Sequence, residues 1–507
     1  VHDTRHFLGF PCPSGEARRR SNPLPGRGFD AFTGHLSADA TITGELGGTM
    51  NPTVMTAQGP VVGVDQGATR AWYALPYAAP PLGPLRFRRP SPPLPHREPL
   101  DAGRWGPAPV QRLIDGSVSG FGGTAVAEDC LTLDVVRPST DRAESDANDD
   151  VDSDVEGDVA DGAGLPVLVW IHGGAFMTGT GSTYDARRLA EAGRMIVVTL
   201  NYRVGPFGFL DLSSLSTPGV RCDSNVGLFD QITALKWVQA NIAAFGGDPG
   251  NVTLAGQSAG GTSVLALLCM PAARDLFARA VAQSPAPAMG LSGAVHARWA
   301  HRFADLLRAR VGADTATALE TASPDQLLDA MDALHAISAA RCPDVSILCP
   351  CIDRSLPAPI LEAFETGRQA AVGLLIGTNR DEDGLAPGPY DESAAAELRA
   401  WHRTVVRTAV AHGRRAPTWM YRFDHVSADP RIGPRGAAHS QELRYLFGTL
   451  PADSPDRDSR FSSMMQRLWS RFAADGRPAE SRDWPTYRAN RRRIMVLDDD
   501  PAVICGA

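Results

Sequence analysis

No stretch of 18 apolar residues occurs in this 507-residue chain, so none of it reads as a membrane-spanning helix. Positive charge is not in excess. The 49 Lys and Arg face 57 Asp and Glu, and a net charge of −8 has the wrong sign for a nucleic-acid binder. Cysteine is thinly spread, with eight residues at Cys12, Cys130, Cys222, Cys269, Cys342, Cys349, Cys351 and Cys505. The first residues lack the basic-then-apolar pattern of a secretion signal, so a reduced, cytoplasmic chain is expected. Cys349-Pro350-Cys351 has no second cysteine pair or histidine cluster to complete a ligand set, and neither a metal nor a cofactor is expected. What is present, 43% hydrophobic residues, suffices for a large α/β core.

The chain is not uniform. Residues 1–49 carry Arg18, Arg19 and Arg20 among prolines and glycines, with little periodicity. They are expected to be a disordered extension, with Met50 or Met55 the more natural start, because recognisable structure begins at Gly59-Pro60-Val61-Val62-Gly63. Residues 51–507 read as one α/β domain interrupted by an acidic insert at 139–165. The insert holds ten acids, from Asp141 to Asp161, against Arg142, so its net charge of −9 exceeds the −8 of the whole chain. Asp150, Asp152 and Asp154 have the spacing of a calcium loop. Val155 stands where that loop needs Gly, however, and Asp161 where it needs a closing Glu, so a solvated loop is expected.

Elsewhere, strand-like and helical runs alternate. A β meander with Pro-rich turns is expected over 59–138, ending in the alternating run Glu128–Val135. Buried strands are expected at Pro166–Ile171, Met195–Leu200, Val252–Ala255, Val372–Ile376 and Thr418–Phe423. Ile232, Leu235, Val238 and Ile242 have helical spacing within Asp230–Phe245. Such alternation predicts a large, mostly parallel sheet covered on both faces.

Gly256-Gln257-Ser258-Ala259-Gly260 follows the third of those strands, Val252–Ala255, and precedes an apolar helix expected from Thr262. A serine on such a G-x-S-x-G elbow projects its hydroxyl above the sheet edge, with small residues required two positions either side. An acyl-transfer site also needs N–H donors for the developing oxyanion. His172-Gly173-Gly174-Ala175-Phe176 follows the strand ending at Ile171, and Gly173, Gly174 and Ala259 are the candidate donors. A base and its orienter complete the set, in the chain order serine, acid, histidine. Asp381, Glu382 and Asp383 compete as the acid after the Val372–Gly377 run. His402, His412, His425 and His439 compete as the base. His402 and His412 fall on an Arg-rich helix, where a solvated face is expected, whereas His439 lies in a Gly-rich loop.

With these motifs in order, the chain resembles the type B carboxylesterases, the family of para-nitrobenzyl esterases, mammalian carboxylesterases and cholinesterases, over residues 59–500. The resemblance rests on Pro76–Pro81, Glu128–Leu131, His172–Phe176, Asn201–Arg203, Asn225–Gln231, Phe245–Pro249, Gly256–Gly261, Asn379–Glu382 and His439. It implies an α/β-hydrolase fold and ester hydrolysis through an acyl-enzyme. It aligns Glu382 with the triad acid and His439 with the base, makes Arg86 and Glu128 an ion pair, and places Ser284 behind the triad. The expected partner is a small-molecule ester. Carbamates and amides are open to the same triad, and a non-catalytic, neuroligin-like binding relative is the rival reading, although Ser258, Glu382 and His439 all stand.

The chain departs from the family pattern in five places. Gln257 replaces a Glu common before the nucleophile. Cys130 has no upstream partner between it and Cys12, which implies a free thiol. No choline-binding Trp stands in 111–127. The acidic insert is extra. Only 57 residues separate Glu382 from His439, which implies a wider acyl pocket or a damaged one.

Overall fold

A computed structural model describes residues 51–113, 125–139, 164–342, 346–382, 392–432 and 436–505. The extension at 1–49, nearly all of the acidic insert, including its Asp150-x-Asp152-x-Asp154 spacing, and Asp383 lie outside the described residues.

The buried run Leu165–Ile171 explains the architecture. Along it, Val167, Val169 and Ile171 enter one core while Leu168 and Trp170 enter another, and all five are fully buried. Because successive strand side chains point to opposite faces, an unbroken apolar run requires cover on both sides. The sheet it belongs to has eleven strands among the described residues. They are β1 (Val64–Asp65), β2 (Thr69–Pro76), β3 (Thr132–Pro138), β4 (Leu165–Ile171), β5 (Ile196–Leu200), β6 (Gly247–Gln257), β7 (Arg279–Gln283), β8 (Gly373–Asn379), β9 (Thr418–Phe423), β10 (Arg493–Leu497) and β11 (Ala502–Cys505). Their order across the sheet is β11-β10-β9-β8-β7-β6-β4-β5-β3-β2-β1. The block from β10 to β5 is parallel, and antiparallel strands close both edges.

Helices α1 (Val226–Asn241), α2 (Ala259–Cys269) and α3 (Glu392–His412) cover the first face, supplying Leu228, Leu235, Val264, Leu265 and Val405 to its core. Helices α4 (Glu442–Phe447) and α5 (Asp456–Asp475) cover the other, supplying Tyr445, Phe447, Phe461, Met465 and Trp469. This is the α/β-hydrolase fold that the sequence implies.

The differences are local. Helix α1 starts at Val226 rather than Asp230, launched by Asn225 in a left-handed conformation, and its last expected turn, Ile242–Phe245, is a 3-10 helix. Strand β6 is longer than Val252–Ala255, with a register irregularity between Gly247 and Val252. Helix α2 starts at Ala259, not Thr262, so the helix begins immediately after the serine.

Two histidine expectations need correction. His412 is not on a solvated face. It is fully buried, with Nε2 2.8 Å from the Val372 carbonyl and Nδ1 3.2 Å from Gln369 Nε2, and burial pushes its pKa below the usual imidazole value. His402 is partly buried rather than solvated, edge-on to Trp401. An Arg-rich composition hides the narrow stripe by which α3 meets the sheet.

Candidate active site

The carboxyl ends of β4, β6 and β8 open at the same edge of the parallel block, β6 beside β4 and β8 one strand beyond, across β7, and each hands over a sequence-selected residue within three positions. Ser258 has φ 57° and ψ −121°, a conformation that a non-glycine residue holds only when its surroundings enforce it. The enforcement is visible. A Cβ on Gly256 would come within 2.7 Å of the Gly260 backbone, and one on Gly260 would collide with the Ile171 carbonyl. Both glycines therefore let β6 turn into α2 hard against the end of β4. The Ser258 N–H donates to the Gln283 carbonyl (2.9 Å), which fixes the elbow to the neighbouring strand. Ala259, as the first residue of α2, has no carbonyl in its own helix to receive its N–H. That N–H sits where a helix favours negative charge.

The His-Gly-Gly turn faces this elbow, with Gly173 packed against Gln257 and Ser258. The Gly173 N–H is directed at Tyr184 Oη (3.4 Å). The next two residues turn through left-handed backbone, with φ 116° at Gly174 and 54° at Ala175, and among the described residues neither N–H has a protein acceptor. Of the three donors predicted, Gly174 and Ala259 keep their N–H groups open and Gly173 does not. Ala175 was missed, because a Cβ-bearing residue in a left-handed turn leaves no compositional trace. His172 beneath the turn is fully buried and stacks on Tyr202, with centroids 4.1 Å apart. Burial lowers its pKa to about 4, so it stays neutral, with Nδ1 2.8 Å from the Gly173 carbonyl.

Of the two competing acids that are described, Asp381 and Glu382, the side chains leave the end of β8 in opposite directions. Asp381 turns outward to Arg380 (2.8 Å) and accepts the Ala437 N–H (3.0 Å), so it tethers the histidine loop instead of the imidazole. Glu382 turns inward and is buried. Its Oε2 lies 2.5 Å from His439 Nδ1, and its Oε1 accepts from Ser284 Oγ (2.6 Å) and the Asn379 N–H (2.8 Å). Ser284 thus lies behind Glu382, on the side away from His439's contact with Oε2. Burial alone would lower the His439 pKa. The charge and hydrogen bond of Glu382, with the charge of Glu442, outweigh it and leave the imidazole above its ordinary value. Of the four histidines, only His439 reaches this point; His425 is buried against Asp458.

Of the neighbours, Gln283, Trp401 and Glu442 carried no signal of their own. Asn379 Nδ2 donates to the Ala438 carbonyl and to Glu442 Oε2, both at 2.6 Å, and Gln283 Nε2 donates to Glu442 Oε1 (3.1 Å). Burial, then the charge of Glu382, raises the Glu442 pKa. Trp401 of α3, inside the short span between acid and base, lies 6.1 Å from the His439 ring and donates to the Pro285 carbonyl (2.6 Å). Gln257 is buried, with Nε2 3.1 Å from His439 Nε2 and 2.9 Å from Ser440 Oγ. Farther off, Arg86 grips Glu128 with Nε and Nη2 at 2.6 and 2.7 Å, the ion pair expected. Cys130 is a buried free thiol whose pKa burial pushes up.

Comparison with known proteins places this geometry. Residues 50–397 and 393–504 match the model of the carboxylesterase family. The para-nitrobenzyl esterase of Bacillus subtilis is 36% identical over 496 residues, covering 88% of this chain and 95% of that protein. The acetylcholinesterase of Bungarus fasciatus is 30% identical over 533 residues, covering 88% and 83%. A solved thermophilic para-nitrobenzyl esterase superposes with a TM-score of 0.77 at 34% identity, over 90% of this chain and 98% of that one. The chain belongs to the carboxylesterase family and is a carboxylic ester hydrolase.

Proposed function

We propose that Ser258, His439 and Glu382 form the catalytic triad and that the reaction runs through an acyl-enzyme on Ser258. Ser258 Oγ attacks the ester carbonyl carbon while His439 Nε2 takes its proton. Glu382 holds the Nδ1 proton and stabilises the imidazolium. The carbonyl oxygen, now an oxyanion, is met by the N–H groups of Gly174, Ala175 and Ala259. When the tetrahedral adduct collapses, the C–O bond to the alcohol breaks and His439 returns its proton to the departing oxygen. Water then attacks the acyl carbon, giving its proton to His439, and Ser258 leaves with that proton to free the acid. The substrate is a small-molecule carboxylic ester.

The observation that carries this reading is the 2.5 Å contact of Glu382 with His439, made 57 residues apart, with Nε2 of that histidine 3.1 Å from the side chain of Gln257, the residue before a serine held at positive φ. The test is incubation with para-nitrophenyl butyrate, then with an organophosphate whose adduct is mapped by peptide mass spectrometry. Hydrolysis, loss of activity on modification and an adduct on Ser258 are expected, with Ser258→Ala inactive. A Ser258→Ala protein that kept full activity would sink the assignment. A folded wild type with no turnover of short or long acyl esters would favour a binding relative.

A further inference from the structure

Strands β9 and β10 are parallel neighbours with Phe423 opposite Leu497, so the residues after them emerge together. The Asp424 and His425 N–H groups both donate to the Leu497 carbonyl (2.9 and 3.2 Å). This brings His425 against Asp498 and Asp499. His425 is 1% exposed and stacked flat on Phe461, with centroids 4.0 Å apart and planes 8° apart.

One edge of the imidazole is accounted for. Nε2 lies 3.1 Å from Asp458 Oδ1, and this buried carboxylate also accepts from Tyr445 Oη (2.8 Å) and Ser427 Oγ (2.9 Å). With the ring proton on Nε2, Nδ1 presents a lone pair. Asp498 Oδ1 and Asp499 Oδ1 each stand 3.3 Å from it, yet Nδ1 makes no hydrogen bond among the described residues. A lone pair facing two carboxylate oxygens in a buried corner is repulsive unless a positive centre lies between them.

We propose that His425 Nδ1, Asp498 Oδ1 and Asp499 Oδ1 bind one divalent transition-metal cation of the zinc or manganese class. The three ligand atoms lie within 4.8 Å of one another. A tetrahedral ion with ligands at about 2.1 Å holds neighbouring ligand atoms about 3.4 Å apart, close to the two 3.3 Å separations from Nδ1. The charges also balance. Asp458, Asp498 and Asp499 face Arg457, whose Nε sits on Asp499 Oδ2 and whose Nη2 lies 3.9 Å from Asp498 Oδ1, so the three carboxylates and one guanidinium leave two negative charges for a divalent ion. The nearby cations Arg380 and Arg422 are engaged by Asp381 and Asp424. The donor set, one imidazole nitrogen and two carboxylate oxygens, is that of a borderline ion. The carboxylate behind the imidazole is the arrangement that orients metal-bound histidines. Asp498 and Asp499 are about 40% exposed, which gives an ion an entry path and water to complete its shell. Such an ion would clamp the ends of β9 and β10 at the root of the segment that delivers His439.

The test uses the full chain with Cys505→Ser, which removes an exposed thiol on β11 as a rival ligand. The protein is stripped with chelator, then titrated separately with ZnCl2 and MnCl2 by calorimetry, and metal content is measured after gel filtration. One equivalent bound by at least one of the two ions is expected, with a rise in thermal midpoint. Asp498→Asn/Asp499→Asn, at partly exposed positions that should leave the fold intact by circular dichroism, is expected to weaken binding at least about tenfold. Absence of stoichiometric binding by either ion would overturn the proposal. Equal binding by the double variant would place the ion elsewhere and overturn it too.

Discussion

Gln257 Nε2 lies 3.1 Å from His439 Nε2, so the nitrogen proposed to take the Ser258 proton is met by the side-chain amide of the residue before that serine. An amide N–H directed at Nε2 suits the neutral imidazole, whose other proton is on Nδ1 against Glu382. It suits the imidazolium poorly, because two donors then face each other. A carboxylate at 257 would do the reverse. Gln257→Glu is therefore expected to raise the His439 pKa further, by about one unit or more. Since activity needs the neutral base, the acid limb of kcat/KM against pH would move upward by the same amount. A pH profile with a neutral para-nitrophenyl ester measures it, and an unmoved limb would remove Gln257 from any electrostatic part in the reaction.

Tyr184 Oη accepts the Gly173 N–H, and this contact separates two oxyanion-hole assignments. Tyr184→Phe is expected to cost about 1 kcal/mol of stability, because a buried donor loses its acceptor. Turnover should stay within about threefold of wild type, far from the roughly 100-fold effect of changing an oxyanion donor. A larger change in kcat would return Gly173 to the hole.

Asp134 on β3 is buried, and burial pushes its pKa to about 7 despite hydrogen bonds from the Ala74 N–H and Thr199 Oγ1. The folded state thus holds a proton that the unfolded chain releases near its ordinary value of about 4. Stability from this group is fully present below pH 4 and is lost as pH rises through 7. Asp134→Asn is expected to flatten that part of the curve and to make the protein more stable than wild type at pH 8. Thermal midpoints measured from pH 4 to 8 check it; a wild-type slope retained in the variant would be the contrary result.

Arg203 and Asp230 form an ion pair with side chains 3% and 0% exposed, in which Asp230 accepts from Arg203 Nε and Nη2 at 2.8 and 2.5 Å. Removing one partner leaves the other buried and uncompensated. Asp230→Ala is expected to destabilise the fold by about 3–5 kcal/mol. Denaturant unfolding measures this, and a loss below about 1 kcal/mol would mean that water reaches Arg203.

Much of this was legible in the chain because it depends on neighbours in sequence. The run Leu165–Ile171 had to be a doubly covered strand, since its side chains are apolar on both faces. The serine elbow was legible because G-x-S-x-G is a local pattern, although the contacts that demand Gly256 and Gly260 include the carbonyl of Ile171 at the end of β4. The boundaries were less so. Helix α2 starts three residues early because Ser258 itself is the corner, and α1 starts early because Asn225 accepts a left-handed backbone that apolar spacing does not register.

From spacing and order alone, the sequence determined a strand–helix alternation, a serine on a turn, three candidate acids and four candidate bases. The family resemblance narrowed these to Glu382 and His439. Only the tertiary structure decided how the rest is used. It turned Asp381 outward to Arg380 and Glu382 inward to His439, although the two are adjacent and chemically alike. It buried His412, engaged the Gly173 N–H with Tyr184 and set Gln257 against the base. The physical reason is direction. Composition and periodicity report which groups a segment carries and which face they share. The vector along which each side chain or N–H leaves the backbone is set by strand ends meeting across a sheet, between residues as distant as 57 and 182 positions.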